Sequence, residues 1–144
     1  MDTDYDRDAS FGYLTNLASR LFVRALERRV PGGAIGPMPV FIALQNGEAL
    51  PQKELARLAA VEQPTMANTL ARMARDGLVA GEPDPDDGRS TLLRLTALGQ
   101  ERAQVALAAA KTVNTLAAGA LGAGERAIYL DLVKRIIARL EADS

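Results

Sequence analysis

The nine residues EPDPDDGRS, 82–90, bar a helix from the middle of a chain otherwise rich in alanine and leucine. Two prolines and an Asp-Gly step are turn chemistry. Leu78-Val79-Ala80 stands on one side and Thr91-Leu92-Leu93-Arg94-Leu95 on the other. The spacing therefore predicts a two-stranded hairpin with an acidic tip that carries Arg89. Two helices precede it. The first, about 51–59, turns Gln52, Lys53 and Arg57 outward and Leu55, Leu58 and Ala59 inward, with Val61 on the apolar side of the following turn. The second, about 63–76, has Met66, Leu70 and Met73 at i, i+4 and i+7 as its core stripe. Gly77 then sits where a helix ends. Helix, tight turn, helix and hairpin make a winged helix-turn-helix, a shape that puts one helix into a DNA major groove and a hairpin beside it.

The flanks are helical, so the fold class is mainly α (α+β). Residues 1–9 are small, polar and charged, and read as a mobile acidic arm. From the N-cap Ser10 a helix is expected to about residue 30, with Phe11, Leu14, Leu17 and Leu21 along one side and Pro31-Gly32-Gly33 ending it. Pro39 suits a first helical turn, and VFIALQN then forms a short apolar helix closed by Asn46-Gly47. Thr96 caps an alanine-rich helix at about 97–118, and Gly119 and Gly122-Ala123-Gly124 break it. A last helix, about 124–142, carries Ile128, Leu132, Ile136 and Leu140 in one row. Residues 37–96 are thus expected to form the winged DNA-binding domain. Residues 10–36 and 97–144 supply long N- and C-terminal dimerisation helices, because a small winged domain cannot cover all their apolar surface.

Composition removes whole classes of chemistry. The 144 residues contain no cysteine and no histidine. Thiolate and imidazole metal sites, thiol redox sensing and nucleophile–histidine pairs are therefore excluded, and neither a metal nor a cofactor is expected. No cluster has catalytic spacing and no glycine-rich phosphate loop follows a strand, so the chain reads as no enzyme. The start MDTDYDRDAS is wrong for export, and no apolar run reaches membrane-spanning length, so a cytoplasmic protein is expected. Net charge is −1 overall, and residues 51–96 set six Lys/Arg against seven Asp/Glu. Any DNA affinity must come from where the arginines point and from helix N-termini rather than from a basic field.

The outer face of the second helix of the pair offers Gln63, Pro64, Thr65, Asn68, Thr69, Arg72 and Arg75. Amides can grip adenine, guanidinium groups guanine, and threonine a thymine methyl. Lys53 stands outward on the helix before. At the hairpin tip Arg89 is expected to reach a minor groove or a phosphate, with Asp87 holding its guanidinium by a charge-assisted bond.

Residues 50–99 resemble the winged-helix core of the MarR family of bacterial transcription regulators. The matching pieces are Gln52-Lys53-Glu54-Leu55-Ala56, Gln63-Pro64-Thr65, Gly77-Leu78-Val79, the wing Pro83 to Ser90 with its Asp-x-Arg, and Leu95-Thr96-Ala97-Leu98-Gly99. The resemblance implies a homodimer gripping double-stranded DNA at a near-palindromic operator, most simply as a repressor in a bacterial cytoplasm. It also implies release by a small aromatic or phenolic ligand, for which Tyr13, Leu17, Arg20, Phe22, Met38 and Phe41 are the candidate residues. The competing reading of those residues is that Phe22, Met38 and Phe41 are core and Arg20 is solvated. The chain departs from the family at Pro51 and Glu62, where Ser or Thr is common, and at Asn68, where many members are basic. With the near-neutral charge, these departures predict modest, salt-sensitive DNA binding. They motivate an alternative, a winged-helix protein-interaction module with weak or no DNA binding.

Overall fold

The computed structural model describes residues 4–144, in two compact units, one ending at Ala110 and one spanning Lys111–Ser144. Residues 1–3 of the expected acidic arm lie outside the described residues.

In the first unit a short 3-10 turn, Arg7–Ala9, leads into helix α1, Phe11–Glu27. Ser10 caps α1 as expected, its Oγ accepting the Tyr13 N–H at 3.0 Å. The helix stops three residues earlier than its sequence period suggests. The Arg29 and Val30 amides both bond the Leu26 carbonyl, and this tight turn drives Val30 into the core. Helix α2, Met38–Leu44, starts earlier than its apolar run because Pro39 occupies the first turn, and Gly47 at φ +81° closes the turn after it.

Leu50–Pro51 form a two-residue strand β1, absent from the sequence reading, followed by α3, Gln52–Ala59, and α4, Gln63–Arg75. Strands β2, Val79–Pro83, and β3, Thr91–Leu95, complete an antiparallel sheet of order β1-β3-β2. The β2–β3 ladder runs from Val79↔Leu95 to Pro83↔Thr91, so β2 is longer than the expected 78–80. Proline is tolerated there because β2 is an edge strand. Helix α5, Ala97–Ala118, opens on Thr96. The core joins Val40, Phe41 and Leu44 of α2, Leu55 and Ala56 of α3, Met66, Leu70 and Met73 of α4, and Leu78, Val79 and Leu95 to the small residues Ala103, Ala106 and Ala109 of α5. Leu58 and Val61, expected inward, are exposed, and Gln52, expected outward, is half-buried. The covered stripe of α3 is Gln52, Leu55, Ala56 and Ala59 at helical spacing, and Leu58 falls beside it.

In the second unit the end of α5 is followed by α6, Ala123–Asp143. Arg126 Nε donates to the Ala118 and Leu121 carbonyls at 3.0 and 3.2 Å, tying the first turn of α6 to the end of α5 and the turn between them. Glu125 reaches back to accept the Gly122 N–H at 2.8 Å. The α6 row Ile128, Leu132, Ile136 and Leu140 is exposed throughout, as are Phe11, Leu14, Leu17 and Leu21 on α1. Among the described residues no single helix is long and apolar enough to cross a membrane.

Candidate nucleic-acid interface

Helix α4 is pinned by one side and presents the other. Met66, Leu70 and Met73 are buried, while Gln63, Pro64, Thr65, Asn68, Arg72 and Arg75 are exposed. Thr69 is half-buried, and its hydroxyl donates to the Thr65 carbonyl at 3.2 Å, so that donor is spent within the helix. Pro64 lies in the first turn, and Glu62 holds the N-cap backbone at φ −68°, ψ 150° without a side-chain cap bond. The leading N–H groups of α4 thus lack a side-chain acceptor from the cap, and Pro64 carries no N–H, at the helix end that attracts anions.

The turn before α4 is built from Ala60, whose φ of +53° is the one positive value at a non-glycine residue among the described residues. Gln52 Nε2 donates across it to the Gln63 carbonyl at 3.4 Å. Lys53 is exposed in the first turn of α3, as expected. Nearby, Arg57 grips Glu54 through two contacts of 3.0 and 2.5 Å, and this hydrogen-bonded guanidinium holds the Glu54 carboxyl below its ordinary pKa.

The wing tip is ordered by its own backbone. Asp84 N–H donates to the Ser90 carbonyl at 3.0 Å, Ser90 N–H to the Asp87 carbonyl at 2.9 Å, and Asp86 N–H to Asp84 Oδ1 at 2.9 Å. Asp87 Oδ1 accepts the backbone N–H of Arg89 at 3.1 Å rather than its guanidinium, which corrects the role expected for it. An aspartate two residues before an amide closes a favourable turn of its own. Arg89 is exposed at the tip and forms no ion pair among the described residues. At the wing's base, Arg94 bonds both Glu82 and the Gly47 carbonyl. Sequence reading left this pair unassigned. The only signal for it was opposite charge on the two strands of the hairpin.

A cleft of about 610 Å³ opens on the first unit, walled by Val30, Phe41 and Val105, with Asp76, Glu101 and Arg102 as its charged lining. Of the six ligand candidates, Phe41 alone lines it. Met38 and Phe41 are core, Phe22 is half-buried, and Tyr13, Leu17 and Arg20 are exposed on α1. Asp76, Glu101 and Arg102 escaped the sequence reading because solvated turns and helix faces carry the same residues. Among the described residues no cluster of three or more acidic side chains could hold a metal ion.

Comparison with known proteins agrees with this architecture. A model of the MarR family matches residues 38–90. The HTH-type transcriptional repressor NicR of Pseudomonas putida is 27% identical over 138 residues, 94% of this chain and 87% of that one. The transcriptional regulator HosA of Escherichia coli O111:H- is 31% identical over 98 residues, 68% of this chain and 73% of that one. Bordetella bronchiseptica BpsR, whose structure describes regulation of DNA binding by 6-hydroxynicotinic acid, has the same fold. Its TM-score is 0.81 over 92% of this chain and 96% of its own, at 22% identity. The family, NicR and HosA are regulators of transcription, not enzymes. The outward face of α4, the arginine at the wing tip and these matches lead to one conclusion: the chain belongs to the MarR family of transcriptional regulators.

Proposed function

We propose that the chain is a homodimeric repressor that lays α4 in the major groove of a near-palindromic operator and sets the wing beside it. The observation that carries this reading is the division of α4 into a buried methionine-leucine stripe and an exposed face of amide, hydroxyl and guanidinium groups, with Arg89 free at the adjoining tip. Gln63, Pro64, Thr65, Asn68, Thr69, Arg72 and Arg75 face the bases and nearby phosphates in this arrangement. Lys53 and Arg89 contact the backbone, and Asp87 shapes the turn that presents Arg89. The exposed apolar rows of α1 and α6 support the dimer, since surfaces of that kind are normally covered. Two-fold symmetry then sets half-sites one helical turn apart. Such a protein works in the bacterial cytoplasm.

A small aromatic or phenolic ligand releases the operator. The cleft beside Phe41 supports this, because it touches the turn after α4 at Asp76 and the first half of α5 at Glu101, Arg102 and Val105. A molecule seated there shifts the grip only by binding one arrangement of α4 better than the other. The likeness of fold to BpsR, whose DNA binding responds to 6-hydroxynicotinic acid, is in keeping with this reading.

The test is an electrophoretic shift on the DNA upstream of the protein's own gene at two salt concentrations. A specific shift that weakens steeply with salt supports the repressor reading. A folded dimer that shifts no DNA at low salt turns the reading toward the protein-interaction module.

A further inference from the structure

Arg94 stands in β3 opposite Ala80, and its guanidinium has partners on two other elements. Nη1 donates to the carbonyl of Gly47, in the turn that closes α2. Nη2 donates to Glu82 Oε1 at 2.9 Å, in the outer half of β2. Glu82 lies two residues beyond Ala80 on the same face of the hairpin, the diagonal position that long side chains bridge. One planar group therefore joins the helical body, β3 and β2. Among the described residues the only other strand partner of β3 is β1, which pairs at Leu92 and Leu93 alone. Beyond Pro83 the backbone bonds between Asp84, Asp87 and Ser90 run within the tip itself.

An ion pair with both side chains nearly half exposed adds little to stability. Its consequence is geometric, because a change of tilt at Glu82 is magnified at Arg89, the far end of the lever. We infer that Arg94, with Glu82, is a positioning residue that fixes the tilt of the wing against the helical body and so sets where Arg89 reaches. The inference rests on the DNA-binding reading above.

The experiment uses the full chain with a spin label at Gly88→Cys. The chain has no other thiol, and Gly88 has open space where a side chain would stand. In the absence of DNA, Arg94→Met keeps the aliphatic stem and removes the donors, and Glu82→Ala removes the acceptor. Both are expected to loosen the label while leaving the melting temperature unchanged. On the operator, Arg94→Met is expected to weaken binding roughly tenfold, the scale of one lost arginine contact, and to have no further effect in an Arg89→Ala background. Two results overturn the inference. One is a label whose mobility neither variant changes. The other is a loss that adds to that of Arg89→Ala, with the salt slope falling by about one per subunit for each variant, which makes Arg94 a phosphate contact itself. If the unmodified chain shifts no DNA, the DNA reading fails while the label still decides whether Arg94 braces the wing.

Discussion

The hydroxyl of Thr96 donates to the carbonyl of Gly77 at 2.6 Å, tying the start of α5 to the end of α4. The same oxygen accepts the Gly99 N–H at 3.0 Å, and the Thr96 N–H bonds the Leu78 carbonyl at 3.0 Å. One side chain thus caps α5 and satisfies the turn that terminates α4. Thr96→Val preserves shape and removes both side-chain bonds. It is expected to cost about 1–3 kcal/mol, one lost cap plus one unpaired carbonyl, read as a lower urea midpoint at constant slope.

Beside that knot the backbones come closer than any side chain permits. A Cβ on Gly99 would lie 2.0 Å from the Leu78 carbonyl oxygen, a backbone atom that cannot swing aside. Gly99→Ala is therefore expected to be more harmful than Thr96→Val, by about 3 kcal/mol or more, at the upper end of overpacking costs. Calorimetry that finds its melting temperature within a degree of the parent would contradict the packing described for α5 against Leu78.

Glu62 is expected to work against both stability and DNA binding. Its backbone already has N-cap geometry, but its side chain makes no cap bond. Glu62→Ser is expected to stabilise the fold by about 1 kcal/mol through a new cap and to tighten operator binding by removing a negative charge from the α4 N-terminus. Thermal melts and titrations at one salt concentration check the two effects separately. Tighter folding with unchanged affinity would mean that no phosphate lies near this end of α4.

The wing tip and the helix face are expected to fail in different ways. Arg89→Ala should weaken operator and unrelated DNA alike and reduce the salt slope by about one per subunit. Arg72→Ala should cost about 1–3 kcal/mol on the operator alone and blur preference at one base position in each half-site. Equal losses on all sequences from Arg72→Ala would place it on the backbone.

The exposed row on α6 gives a direct test of association. Ile136→Glu puts a charge among Ile128, Leu132 and Leu140 on a helix with no buried residue of its own. Sedimentation is expected to show a monomer whose helicity is largely retained. A variant that stays dimeric would remove α6 from the interface.

What the sequence disclosed was set by how local each interaction is. The cap at Ser10, the glycine end of α4, the cap at Thr96 and the methionine stripe of α4 lie within a few residues of the atoms they serve, and the structure has each of them. Strand β1 was not legible, because two residues ending in proline become a strand only through Leu92 and Leu93, about forty positions away. The contact from Arg94 to Gly47 is hidden for the same reason. Asp87 shows a second kind of limit: its residue type and spacing suited a guanidinium and an amide equally, and the nearer backbone donor won. The cleft draws Asp76, Glu101 and Arg102 from separate elements, and nothing in one-dimensional spacing brings them together.

The left-handed Ala60 makes the elbow between α3 and α4 a borrowed conformation. An alanine there lies above its preferred backbone wells by about 1–2 kcal/mol, and a free peptide would relax to another angle. The angle persists because Leu55, Ala56 and Met66 are held from below by α2 and the sheet. The pair of helices is consequently not a transplantable cassette. The direction in which α4 points is a property of everything packed beneath it, so a sequence change deep under the elbow can re-aim the helix without altering a single residue on its outer face.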